Sequence, residues 1–267
     1  METPNILQKI IMDKKREVAL KSSLIPETQL KASVLFNRTP LSMSSRLRES
    51  DTGIIAEHKR RSPSREVINQ SLTVEEVAKG YQDAGVCGMS VLTDGKYFGG
   101  SLDDLLLARA SCDLPLLRKD FTIDPYQVFE AKAYGADTIL LIAAALRPET
   151  TKELALLAND LGLEVLLEVH NREELHTHLN DHCHMVGVNN RNLQNFEVST
   201  DTSKTLAKDI PDQFVKVSES GISNEEIIAE LRPFGYKGFL VGEYFMRTGN
   251  PGIFARQFIE SLKKISL

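Results

Sequence analysis

Cysteine is scarce in this chain of 267 residues: Cys87, Cys112 and Cys183 show no CxxC spacing and cannot all pair. That excludes a disulfide framework and fits a reducing cytoplasm. Long apolar runs are missing too. The longest, "TILLIAAAL" (138–146), falls short of the ~18–20 residues a membrane span needs, and reads as a core strand plus its exit. The N-terminal "METPNILQKIIMDKKREVALKS" mixes both signs of charge without a clean apolar stretch, so no export signal is visible. Positive charge is not in excess either. A net charge of −5 argues against nucleic acid or an anionic membrane as the main partner.

What is present is one pattern written eight times from residue 53 onward: a short apolar run, a polar loop, then a segment with helical spacing. The runs are "GIIAEHK" (53–59), "CGMSVLT" (87–93), "PLLRKDF" (115–121), "DTILLIAA" (137–144), "EVLLEVH" (164–170), "MVGVNN" (185–190), "VKVSESG" (215–221) and "GFLVGEY" (238–244). They are continuous rather than alternating, as parallel strands covered on both sides should be. "DPYQVF" and "SNEEII" open helices with N-cap chemistry, Asp or Ser followed by Pro or acids. Eight strand-helix units in a row predict an α/β chain, a (β/α)8 TIM barrel. A doubly wound open sheet would have fewer strands and a glycine-rich phosphate loop after the first, which is missing. One domain is expected over 1–267, with the barrel at 53–260. Residues 1–50 form a helical extension in which Ile6, Ile10, Ile11 and Val18 make a stripe, followed by a polar connector with Pro26 and Pro40.

Barrels of this kind build their sites at the C-terminal strand ends. Glu57, Lys59, Lys119, Asp120, Glu168, Asn189, Arg191, Glu219 and Ser220 stand there, from five different strands, embedded in apolar text. Lys59, Lys119 and Arg191 supply three cations, which points to an anionic substrate. Glu57 and Glu168 are carboxylates that cations can hold ionised or burial can raise into acid-base range. There is no Ser/His/Asp arrangement, and Cys87 starts a strand and so lies at the far end. A lysine Schiff base is chemically open, so spacing alone leaves a lyase or an aldolase.

The seventh and eighth runs end in "SESGIS" and "VGEYFM". Ser220-Gly221 and Gly242-Glu243 offer backbone N–H groups where the chain turns toward a helix, the usual phosphate cradle of such barrels. Glu243 suits it only with its N–H toward the ligand and its carboxylate turned away. "ELHTHLNDHCH" (174–184) invites a zinc reading. It falls at a helix end and the entry to the sixth strand, opposite the mouth, so surface and packing roles are expected and no metal.

With the strand ends laid out, the chain resembles the indole-3-glycerol phosphate synthase family. "IIAEHKRRSPS" is similar to that family's first-strand run, Ala-Glu-x-Lys-x-x-Ser-Pro-Ser, and "SVLTDGKYFGGSLDDL" to its second-strand loop. "PLLRKDFTIDPYQVFEAKAYGADTILLI", "LEVLLEVH", "VGVNNRNLQNF", "VKVSESGI" and "FLVGEYFMR" follow in family order, so the likeness covers about 5–260. It implies an N-terminal segment over the barrel mouth. It also implies ring closure of 1-(2-carboxyphenylamino)-1-deoxy-D-ribulose 5-phosphate with loss of CO2 and water, in tryptophan biosynthesis, without a cofactor. By resemblance Lys119 is the general acid at the carbonyl oxygen and Glu168 the general base. Lys59 binds the substrate carboxylate and assists proton transfer, and Glu57 orients and charge-balances the lysines. Asn189 and Arg191 bind polar groups of the substrate. Ser62, Ser220, Gly221, Gly242 and the Glu243 N–H line its phosphate and carboxylate sites.

Two departures stand out. Arg65-Glu66 occupy a place where the family usually has a glycine, which stiffens and charges the first loop. His58 replaces a commonly apolar residue and should point away from Glu57 and Lys59. A phosphoribosylanthranilate isomerase would show a Cys/Asp pair at strand ends, and none stands out. A barrel that binds a phosphorylated metabolite without turning it over is the non-enzymatic alternative. No stretch marks an interface, so the partner expected is the small phosphorylated substrate and the oligomeric state a monomer.

Overall fold

The computed structural model describes residues 5–63, 65–192 and 196–265. The eight runs are eight strands: β1 (Ile54–His58), β2 (Gly88–Leu92), β3 (Leu116–Lys119), β4 (Thr138–Ile142), β5 (Glu164–Val169), β6 (Met185–Asn189), β7 (Val215–Glu219) and β8 (Tyr236–Val241). They pair in parallel in chain order, and β8 returns to β1 through Ile54–Phe239 and Ala56–Val241, closing the barrel. Only β8 starts earlier than its apolar run suggested, because Tyr236 is a buried aromatic that fits the strand although Lys237 beside it is exposed.

Alternate residues on a strand face opposite ways. Ile54 and Ala56, Met89 and Val91, Val165 and Leu167, and Val186 and Val188 pack outward against the helices. Ile55, Leu117, Leu140, Leu166, Met185, Val215, Val217 and Leu240 form a separate apolar layer inside the barrel. The helices between strands begin at side-chain caps. Thr73 and Glu76 make a reciprocal capping box, and Asp124 caps the helix that opens on Pro125. After β7 the cap is Asn224 rather than Ser223: its Oδ1 accepts from the Ile227 N–H at 3.0 Å. The helix therefore starts one residue later than expected, and Ser223 is left on the cavity wall.

The N-terminal helix (Ile6–Leu24) buries Ile10 and Val18 and half-buries Ile6 and Ile11, but its most enclosed side chain is Lys14. Ile6, Leu7 and Ile10 reach over the mouth. The connector after it is not merely polar. Its last helix (Met43–Glu49) drives Met43 and Leu47 into the inner layer, where Cβ atoms at Gly88 and Gly238 would crowd them. Glu164, at the start of β5, holds this plug. Its carboxylate accepts from the N–H groups of Met43 (2.9 Å) and Ser44 (2.8 Å) and from the Ser42 and Ser44 hydroxyls. A carboxylate on the exposed first-turn N–H groups of a helix is favourable twice over, through hydrogen bonds and through the dipole.

Candidate active site

The same alternation builds the site. One inward step above the apolar layer, Ile55 gives way to Glu57, Leu117 to Lys119, Leu166 to Glu168, Gly187 to Asn189 and Val217 to Glu219. Two glycines make room for the acids. A Cβ at Gly187 would stand 2.1 Å from Glu219 Oε1, and one at Gly242 2.5 Å from Glu57 Oε1. His58, between Glu57 and Lys59, is buried on the other side, its pKa pushed down to about 4 by burial.

Lys119 lies at the centre. Its Nζ donates to Glu168 Oε2 at 3.3 Å and to Glu219 Oε2. Asn189 Nδ2 donates to the other oxygen of Glu168 at 3.0 Å. A second pair sits beside it: Lys59 Nζ is 2.7 Å from Glu57 Oε1, and the Ser90 hydroxyl donates to Glu57 Oε2 at 3.2 Å. Burial by itself would push the Lys119 ammonium down, but Glu219, Glu168 and Glu57 outweigh it and hold it above the ordinary lysine range. Burial raises Glu168, yet Lys119 and His170 bring it below the usual carboxylate value. Glu57 is likewise desolvated and likewise held low, by Lys59 and then Lys119. Glu219 goes the other way. Burial pushes it up to about 7, Lys119 opposes, and the neighbouring Glu168 charge adds to the rise. One carboxyl poised near neutrality beside two ionised ones is an arrangement for moving protons.

These groups floor a cavity of about 480 Å³ at the C-terminal strand ends, within the usual ~300–1,000 Å³ of small-molecule sites. All eleven residues singled out for the site line it: Glu57, Lys59, Ser62, Lys119, Glu168, Asn189, Arg191, Ser220, Gly221, Gly242 and Glu243. Ser220 and Gly221 have φ of 67° and 79°. A serine in that region is strained, which is typical of a backbone held for a ligand. The Glu243 carboxylate is drawn off by two cations, Arg65 and, at 2.9 Å, Arg247. The backbone at Arg65 stays out of the left-handed region, so no glycine is needed there. Leu92, Phe98, Phe121 and Ile142 supply an apolar wall.

Asp120 reaches the edge of this cavity but its carboxylate is committed elsewhere. It accepts from the Thr93 hydroxyl at 2.6 Å, and meets Arg118 at 3.1 Å and Lys14 at 3.0 Å. Burial opposes ionisation there, but Arg118 and Lys14 hold the carboxyl far below its ordinary value. Sequence reasoning gave no role to Glu219, although its inward step in "VKVSES" matches that of Glu168 in "LLEV". It missed Ser90 and Lys14 altogether. The histidine-rich stretch packs or caps: His178 Nδ1 shares a hydrogen bond with the Thr151 hydroxyl (2.8 Å), and His184 Nδ1 accepts from the Val165 N–H (3.3 Å). Among the described residues no group of three or more His, Cys, Asp or Glu is arranged to hold a metal ion.

A closed parallel barrel with an acid-base cluster under a cavity, and cations facing it, defines a (β/α)8-barrel enzyme acting on a small anionic substrate. Solved structures bear out the fold. The 3-hexulose-6-phosphate synthase from Salmonella typhimurium is 15% identical with a TM-score of 0.63, over 79% of this chain and 99% of that one. The tryptophan synthase subunit alpha from Legionella pneumophila is 14% identical with a TM-score of 0.58, over 83% and 95%. The profile of indole-3-glycerol phosphate synthase matches residues 7–258. The enzyme of that name from Bacteroides thetaiotaomicron is 48% identical, over 97% of this chain and 99% of its own. That from Albidiferax ferrireducens is 40% identical, over 93% and 96%. The chain belongs to the indole-3-glycerol phosphate synthase family, carboxy-lyases of tryptophan biosynthesis.

Proposed function

We propose that Lys119, Glu168, Glu57 and Lys59 carry the ring closure of 1-(2-carboxyphenylamino)-1-deoxy-D-ribulose 5-phosphate in this chain, with Glu219 as a fifth participant. The observation that carries this reading is the Lys119 ammonium clamped between Glu168 and Glu219 under the cavity. The ring carbon bearing the carboxylate attacks the C2 carbonyl, and the oxygen becomes an alkoxide. That alkoxide has a higher proton affinity than a lysine amine, so even a strongly held ammonium can donate to it. CO2 then leaves and its bonding electrons return to the ring nitrogen. Loss of water completes the indole: one proton goes to the departing hydroxyl, and Glu168 removes another from the ring. Lys59, neutralised in the free enzyme by Glu57, is the cation for the substrate carboxylate.

Arg191 and Ser62 bind from the rim, and Asn189 orients Glu168. The turn at Ser220-Gly221 and the first-turn N–H groups after Gly242 hold the phosphate, with the Glu243 charge spent on Arg65 and Arg247. The aromatic ring lies against Phe98, Phe121 and Ile142. On its acidic, cysteine-poor composition we also propose a single-domain cytoplasmic monomer, which gel filtration checks. The test of the roles is indole fluorescence on mixing enzyme and substrate. Lys119→Ala and Glu168→Gln should each abolish the rise while substrate still binds. A Lys119→Ala enzyme with ordinary turnover would remove the acid from this scheme.

A further inference from the structure

His170 follows β5 directly and lies beside the site without lining the cavity. Glu174, in the first turn of the helix Arg172–His178, reaches back and fixes it twice. Its Oε2 accepts from the His170 backbone N–H at 2.7 Å and faces ring Nδ1 at 3.1 Å, while its Oε1 accepts from Asn171 Nδ2 at 2.9 Å. A carboxylate only accepts, so Nδ1 carries a proton. The other ring nitrogen, Nε2, is buried, has no hydrogen-bond partner, and lies 3.6 Å from Glu168 Oε1. With a bare Nε2, a lone pair would face a buried carboxylate. With a proton there, the two attract.

We propose that His170 is a positioning residue whose imidazolium, aimed by Glu174, keeps Glu168 ionised after Lys119 has given its proton to the substrate. This rests on Lys119 acting as the acid. Once its ammonium becomes an amine, Glu168 and Glu219 lose the cation between them, and Glu57 remains tied to Lys59. Without that cation both buried carboxylates become harder to keep ionised, and a proton taken up by Glu168 would remove the base needed for dehydration. Glu174, Glu168, Glu219, Lys119 and the neutral Asn189 are the polar groups facing this corner from the neighbouring elements. Burial would lower the imidazole's proton affinity, but Glu174 and then Glu168 reverse that and hold it above the ordinary histidine value.

The experiment is the pH dependence of kcat and KM for His170→Gln and Glu174→Gln, with melting curves to verify folding. His170→Gln should lower kcat about tenfold with KM nearly unchanged, and move the acid limb of kcat to higher pH by about one unit. Glu174→Gln, which removes both the aim and the charge that favours the imidazolium, should act in the same direction, and serves if the first variant does not fold. A folded His170→Gln enzyme with wild-type kcat and pH profile overturns the inference, as does a rise in KM alone. Full activity in Lys119→Ala is a separate failure: it would strike the acid assignment underneath.

Discussion

Replacing Lys14 with methionine removes a cation that touches three carboxylates at once: Glu17 at 2.8 Å, Asp94 at 3.1 Å and Asp120 at 3.0 Å. The side chains of Lys14, Asp94 and Asp120 are 1%, 3% and 1% exposed, so water cannot screen what is left behind. Breaking a buried pair by removing one partner costs ~3–5 kcal/mol. Asp120 keeps Arg118 and the Thr93 hydroxyl, which argues for the lower end, about 3 kcal/mol. At the unfolding entropy typical of a chain this long, that lowers Tm by roughly 5–6 °C. Calorimetry at pH 7.5 and pH 3 measures it. Asp120 is depressed in the folded state, so its contribution is present above the unfolded carboxyl pKa of ~3.9 and is lost as pH falls through the folded value. Without Lys14 the folded value rises, and the unpaired charge is relieved by protonation. The deficit of Lys14→Met should therefore narrow on acidification. Because Ile6, Leu7 and Ile10 of the same helix line the cavity, KM should rise as well. A Tm loss under ~2 °C that is the same at both pH values would refute the reasoning, since the cluster would then carry no net buried charge.

Glu219, pushed up to about 7, should give kcat an inflection near neutrality that is absent in Glu219→Gln. A raised acid contributes its full stability below the unfolded value and loses it as pH climbs through the folded one. The wild-type Tm should therefore fall relative to that of Glu219→Gln between pH 5 and pH 8, and the opposite slope would sink the assignment. Gly187→Ala drives a methyl onto Glu219 Oε1; kcat should drop by at least about tenfold, read in the fluorescence assay. Arg65→Gly should cost under ~1 kcal/mol, because the Arg65–Glu243 pair is half-exposed. Its KM should gain in salt sensitivity as the Glu243 charge turns back toward the phosphate, and a collapse of kcat would show that the first loop matters far more than an exposed ion pair can.

The barrel was legible because strands buried on both faces leave continuous apolar text, and eight such runs at one spacing have few other uses. Most of the site was legible for a related reason: an acid or base breaking into that text needs a partner, and the strand ends share one mouth. Glu219 shows where this stops. The residue is visible in "VKVSES", but its near-neutral proton affinity depends on Lys119, 100 positions away, and Glu168, 51 positions away. Lys14 is a harder case. Four residues from both Ile10 and Val18, it stands on the apolar stripe of its helix, but the stripe names no partner for it, and only the fold brings Asp94 and Asp120 there.

Asp120 lines the edge of the cavity, as its place at a strand end suggests, but the direction of its carboxylate links two parts of the molecule. Lys119 and Asp120 are neighbours at a strand end, and period-two geometry forbids both from facing the same way. Once Lys119 is taken into the barrel by Glu168 and Glu219, Asp120 must leave it, toward Arg118 and the N-terminal helix. One peptide bond thus joins the ammonium under the cavity to the ion cluster that holds the helix across its mouth. Loosening the Lys14 contacts should therefore be felt at Lys119, which is why substrate affinity and stability are expected to fall together in Lys14→Met.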